Sequence, residues 1–188
     1  MEFQSDVELR EYMQSSGRSY VSFTFKQNDG EIIGSILLEL FSDICPRTCD
    51  NFIKLVNGKH ECKHQYAGTP IHRIVQHAFI QGGDVVTGTG KGNPKFSIPD
   101  ETFQVKHGDV GILGMANNGA PHTGASQFYI TLNPLSWLDG KRVAFGRVLT
   151  AEGLETLAKM AAVPLNLERP LPEVTLTEAI VLHVADTS

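Results

Sequence analysis

The chain is short of cysteine, of long apolar runs and of positive charge, and each shortage removes a class of protein. Three cysteines in 188 residues are an odd number and too few for a disulfide framework, which fits a reducing compartment. No stretch holds enough uninterrupted apolar residues to span a bilayer, and the opening MEFQSDVELREYMQ is acidic where a secretory signal is basic and then apolar. A formal net charge of -5 gives no broad attraction for phosphate backbones, so nucleic acid is not expected as the principal partner. These shortages lead us to expect a soluble cytoplasmic protein without a membrane partner. What is present is 41% hydrophobic residues, enough for one good core with a short appendage.

Ser5 followed by Glu8 forms a capping box, and Leu9, Tyr12 and Met13 share a helical face, which predicts a short helix over 5–15 ended by Ser15, Ser16 and Gly17. Its charges suit a solvated appendage, so 1–18 reads as an extension and 19–188 as the main domain. Tyr20 to Phe25 alternates aromatic and polar residues, Ile32 to Leu40 is aliphatic, and Asn28-Asp29-Gly30 between them is hairpin chemistry. Pro46 opens a helix carrying Phe52, Leu55 and Val56, and a second helical segment covers about 151–162. Short strand-like runs follow one another at Ile71 to Val75, Phe79 to Gln81, Ile112 to Met115, Gln127 to Thr131, Val143 to Val148 and Val174 to Val184. Many short strands and two separated helices predict a mainly β fold, a closed antiparallel barrel capped by two helices, since closure removes sheet edges.

Four segments stand out: FSDICPRTCDNFIKL, HRIVQHAFIQGGD, GILGMANNGAPHTGASQFYI and WLDGKRVAFG. In order and in approximate spacing they resemble the cyclophilins, and the resemblance covers roughly residues 19–185. It implies an eight-stranded, cyclophilin-like barrel, a peptidyl-prolyl cis-trans isomerase activity that assists folding or conformational switching, and proline-containing peptides as partners. It implies neither cofactor nor metal, and a monomer. Arg73 matches the catalytic arginine, and Gln81 the glutamine that orients it and contacts substrate backbone. Ala116 and Asn117 match the edge that receives peptide main chain, and Gln127 matches a polar wall residue. Phe79, Tyr129 and Leu138 would line the pocket for the proline ring, and Trp137 stands where cyclosporin-binding members carry tryptophan, so cyclosporin binding is an expectation.

The chain departs from the family pattern where the pocket is built. Ala78 replaces a phenylalanine, Phe79 a methionine, Tyr129 a second phenylalanine, Arg142 a histidine and Asn118 an alanine, with one extra residue between Met115 and Gln127. Losing ring contact at Ala78 without compensation removes about 1.5–3 kcal/mol, roughly a 10- to 150-fold fall in kcat/KM. Partial refilling by Phe79 and Tyr129 predicts a slower isomerase. A peptide-binding scaffold that has lost efficient turnover is the rival reading.

Other patterns carry less. Cys45, Cys49 and Cys62 with His60 and His64 allow metal spacing on paper, yet Cys49 lies on the apolar stripe of its helix and reads as a small hydrophobe. The Gly88, Gly90, Gly92 run lacks the strand-to-helix setting and the Lys-Ser/Thr pair of a P-loop and reads as a turn. Asp84 and Asp100 have no paired carboxylate at a spacing useful for acid-base chemistry.

Overall fold

Alternation along SYVSFTFKQ makes β1 (Ser19–Gln27), which sends Val21, Phe23 and Phe25 into the main core, with Tyr20 buried on the opposite face. The computed structural model describes residues 3–28 and 30–183. The hairpin partner β2 (Glu31–Leu40) pairs with β1 along its length, with Asn28 left-handed at φ 51° in the turn. Asp29 of that turn and Val184 at the end of the last expected strand lie outside the described residues.

The remaining strands are β3 (Thr69–Pro70), β4 (Arg73–Val75), β5 (Phe79–Gly82), β6 (Ile112–Met115), β7 (Phe128–Thr131), β8 (Ala144–Val148), β9 (Leu165–Asn166), β10 (Arg169–Pro170) and β11 (Val174–Leu182). Nine of them form one antiparallel sheet in the order β3-β11-β1-β2-β8-β6-β7-β5-β4. The expected closed eight-stranded barrel is therefore corrected to a strongly curled open sheet of nine strands. The reason lies at its ends. β3 has two residues and β4 three, and the backbone N–H of Ile74 in β4 donates to the carbonyl of Glu168 at 2.6 Å instead of to a closing strand. That carbonyl belongs to the turn of the small β9–β10 hairpin, which has no counterpart in the sequence-based expectation.

Three helices pack on this sheet: α1 (Asp6–Ser16), α2 (Pro46–Val56) and α3 (Ala151–Ala161). Pro46 sits in the first turn of α2, and Thr150 caps α3 by accepting from the Gly153 N–H. Ser5 caps α1 by accepting from the Glu8 N–H, and Gly17 ends it at φ 66°. α1 docks instead of standing off as a solvated appendage. Met13 packs with Tyr20 and Leu149, and the Tyr12 hydroxyl donates to Glu39 at 2.7 Å. Glu39 is fully buried and also takes Arg18 and Arg147, so this corner of α1 is tied to a closed polar network.

The core is aromatic. Phe23 has the rings of Phe52 and Phe128 each at 5.7 Å and Tyr66 at 6.1 Å, and the Tyr66 hydroxyl donates to the Ser126 carbonyl. α2 contributes Phe52, Leu55, Val56 and the thiol of Cys49, and Cys45, just before the helix, contributes a second thiol. These thiols donate to the carbonyls of Ala144 and Phe145, and burial pushes Cys45 up to about 12 and Cys49 in the same direction. Both behave as small packed groups. Asp84 gathers the Gly88 to Gly92 loop by accepting from the backbone N–H groups of Val86, Thr87, Thr89, Gly90 and Gly92.

Candidate functional site

Strand alternation gives β4, β5 and β7 two faces. Ile74, Ile80, Phe128 and Ile130 enter the main core. Arg73, Phe79, Gln81 and Tyr129 come from the alternate positions, with Arg73 opposite Gln81 and Gln81 opposite Tyr129 in the register. Their apolar members form a separate cluster in which Tyr129, Leu135 and Leu138 are buried and Ala78, Phe79 and Ala116 partly so. Phe79 and Tyr129 lie 5.6 Å apart between ring centroids, and the Arg73 guanidinium carbon stands 5.4 Å above the Phe79 ring. The structure thus brings together Arg73, Ala78, Phe79, Tyr129 and Leu138, five of the residues singled out in the sequence.

Among the described residues no hydrogen bond joins Gln81 to Arg73, the contact that the resemblance implies. The Gln81 amide donates to the Gln127 side-chain oxygen at 2.9 Å, and the Gln127 amide donates in turn to the Gly90 carbonyl at 3.1 Å. Both glutamines are thereby fixed against the loop that Asp84 gathers. Arg73 is held from the other side: its Nε donates to Glu168 Oε2 at 2.7 Å, with both side chains nearly half exposed.

Gln81, Gln127, Ala116 and Asn117 line a cavity of about 660 Å³ together with the Lys91 to Ser97 segment. Ala116 donates its N–H to the Gln127 carbonyl at 2.9 Å. Among the described residues no hydrogen bond engages the backbone N–H or C=O of Asn117, whose side chain is occupied with the Lys141 carbonyl and the Gly119 N–H. Asn118 lines the same cavity, its side chain accepting from the Ala120 N–H and the Thr123 hydroxyl. Trp137 is 56% exposed on the 3₁₀ turn Ser136–Leu138, while Leu138 beside it is buried. Arg142 is half-buried and donates to the Lys141 carbonyl.

Beneath the cluster lies a relay that sequence reasoning missed. The Tyr129 hydroxyl is 2.6 Å from His107 Nε2, and His107 Nδ1 is 2.9 Å from Asp139 Oδ1. Hydrogen bonds from the His107 backbone N–H and ring hold Asp139 below the usual carboxylate range, so it accepts only. Burial holds His107 below the ordinary imidazole value and Tyr129 above the ordinary phenol value. The imidazole is therefore neutral, with its proton on Nδ1, and Nε2 accepts from the Tyr129 hydroxyl. Room for that hydroxyl comes from Gly114 on the neighbouring strand, where a Cβ would collide with the phenol end of the ring. The exchange of a phenylalanine for Tyr129 was the only signal in the sequence that a partner had to be found.

Comparison with known proteins places these motifs in context. The family model for cyclophilin-type peptidyl-prolyl cis-trans isomerases matches residues 22–181. A human protein named "Probable inactive peptidyl-prolyl cis-trans isomerase-like 6" is 42% identical over 159 residues, which is 80% of this chain and 50% of that one, so the chain spans half of that relative's length. A "Peptidyl-prolyl cis-trans isomerase-like 1" of Gibberella zeae is 43% identical over 158 residues, 80% of this chain and 91% of its own. The crystal structure of a cyclophilin-type isomerase from Cryptosporidium parvum superposes with a TM-score of 0.77 at 31% identity, covering 88% of this chain and 98% of that one.

Proposed function

The chain belongs to the cyclophilin-type peptidyl-prolyl cis-trans isomerase family, and from that premise we propose that it binds X-Pro peptides and accelerates rotation of the prolyl amide. Amide resonance sets a barrier of about 18–20 kcal/mol, and uncatalysed exchange takes roughly tens to hundreds of seconds. No covalent step is needed. The twisted amide regains a lone pair on nitrogen, and a donor aimed at it stabilises that state more than the planar one.

The observation that carries the reading is the Arg73 guanidinium over the Phe79 ring, at 5.4 Å, beside the apolar cluster of Phe79, Tyr129, Leu135 and Leu138. Arg73 would donate to the twisted amide, Phe79, Tyr129 and Leu138 would contact the ring, and Asn117 would exchange backbone hydrogen bonds with the extended peptide. Where Ala78 lacks the family's ring, Phe79 and Tyr129, 5.6 Å apart, would refill the space in part. The result is a slower isomerase, with Trp137 on the rim as the residue a cyclosporin ring would meet.

A binding module with little turnover is the second reading, favoured by the carboxylate of Glu168 already seated on Arg73. Two-dimensional exchange NMR on a short Ala-Pro peptide separates the two. Cis–trans exchange peaks at substoichiometric protein support catalysis, whereas peptide shift changes without exchange peaks support binding alone and overturn the enzyme reading.

A further inference from the structure

We propose that Glu168, the acceptor of the Arg73 Nε–H, is the positioning residue for Arg73. The inference rests on the isomerase reading of the site. Leu167 and Glu168 form the two-residue turn between β9 and β10, with φ 49° and 67°. Two consecutive left-handed residues make a tight hairpin turn, a geometry that favours Asn-Gly and strains Leu-Glu. Glycine at 168 would relieve that strain but supply no side chain.

What the strained turn achieves is a double hold on β4. The Glu168 carbonyl accepts from the Ile74 N–H at 2.6 Å, and its carboxylate accepts from the Arg73 Nε–H at 2.7 Å. Backbone and side chain of adjacent β4 residues are thus fixed by one residue. A guanidinium has five N–H donors, and a bond through Nε leaves the four on its two terminal nitrogens free for substrate. The same contact sets the plane of the guanidinium above Phe79. An exposed ion pair adds little to stability, about 0–1 kcal/mol, so the contact acts through orientation.

Two variants test this. Glu168→Gly relaxes the turn and removes the carboxylate, so the protein folds while Arg73 is released. Glu168→Gln removes the charge but keeps an acceptor for Nε–H. The expected result is a fall in kcat of about 10- to 100-fold for Glu168→Gly with KM nearly unchanged, and near wild-type kcat for Glu168→Gln. In peptide-free protein, the Arg73 Nε–H signal in ¹⁵N spectra should be protected from solvent exchange in wild type and Glu168→Gln, and unprotected in Glu168→Gly. Wild-type turnover in both variants overturns the proposal, and so does a rise in turnover, which would make the carboxylate a brake. If wild type itself shows no turnover, the isomerase reading fails separately, and protection of the Nε–H alone then decides whether Glu168 holds Arg73.

Discussion

The two faces of β4, β5 and β7 carry different kinds of order. Inward, Ile74, Ile80, Phe128 and Ile130 meet rings and aliphatic chains in a fully buried aromatic core, where shape alone decides fit. Outward, the same strands present Arg73, Phe79, Gln81 and Tyr129, each held by a polar or ring contact from another element. The departures at Ala78, Phe79 and Tyr129 lie in the apolar cluster of the outward face. One set of strands thus couples a core that resists change to a surface that has been rebuilt.

The largest expected effect breaks the inner face. Phe128→Ala should cost about 3–5 kcal/mol in urea unfolding, by loss of burial and creation of a cavity. A cost under about 1 kcal/mol would erase the distinction between the faces.

Gly114→Ala acts where they meet. Its new methyl would meet the phenol end of Tyr129, so a loss of stability of up to about 3 kcal/mol is expected, together with weaker Pro-peptide binding measured by titration. Unchanged affinity would show that the ring's position does not shape the outer face.

A gentler probe is Tyr129→Phe, which keeps the ring and leaves the buried Nε2 of His107 without its donor. Stability should fall by about 1–3 kcal/mol in urea unfolding. A more stable variant would contradict the relay.

The smallest effect is in pH. Burial holds His107 below the unfolded imidazole value, and His72 is shifted the same way by the same cause. Below about pH 6.5 the unfolded chain then binds more protons than the folded one, so stability rises with pH in that window and is lost as pH falls toward the lower folded values. Asp139, shifted down by its hydrogen bonds from His107, adds a loss only below the ordinary carboxylate range. Urea midpoints should therefore fall between pH 7 and pH 5, and the slope should flatten in His107→Gln, with His72 and His60, both shifted down by burial, supplying the remainder. An unchanged slope in that variant would remove His107 from the account.

Much of this was legible in the sequence where local chemistry speaks. The Ser5 cap, Pro46 at the start of α2 and the alternation of β1 all read directly onto structure. The ordered motifs carried Arg73, Ala78, Phe79, Tyr129 and Leu138, which the fold brings together. The rest depends on partners far along the chain. Closure of the barrel failed at a hydrogen bond from Ile74 to Glu168, and the β9–β10 hairpin escaped notice because strands of two residues show no period and Leu-Glu is not turn chemistry. Docking of α1 rests on the buried Glu39, which nothing in the charged face of the helix announces. Gln81 has the spacing for Arg73, yet the hydrogen bond it makes runs from its amide N–H to Gln127, and Arg73 is bonded to Glu168, 95 positions along the chain.

The most direct measurement is the cis–trans exchange rate of an Ala-Pro peptide with wild type and with Arg73→Ala, both checked for equal stability. Removal of a donor used in the transition state should slow turnover by about 10²- to 10³-fold while peptide still binds. Equal exchange rates for the two proteins would contradict the account, because the arginine above the Phe79 ring would then have no part in turning the amide.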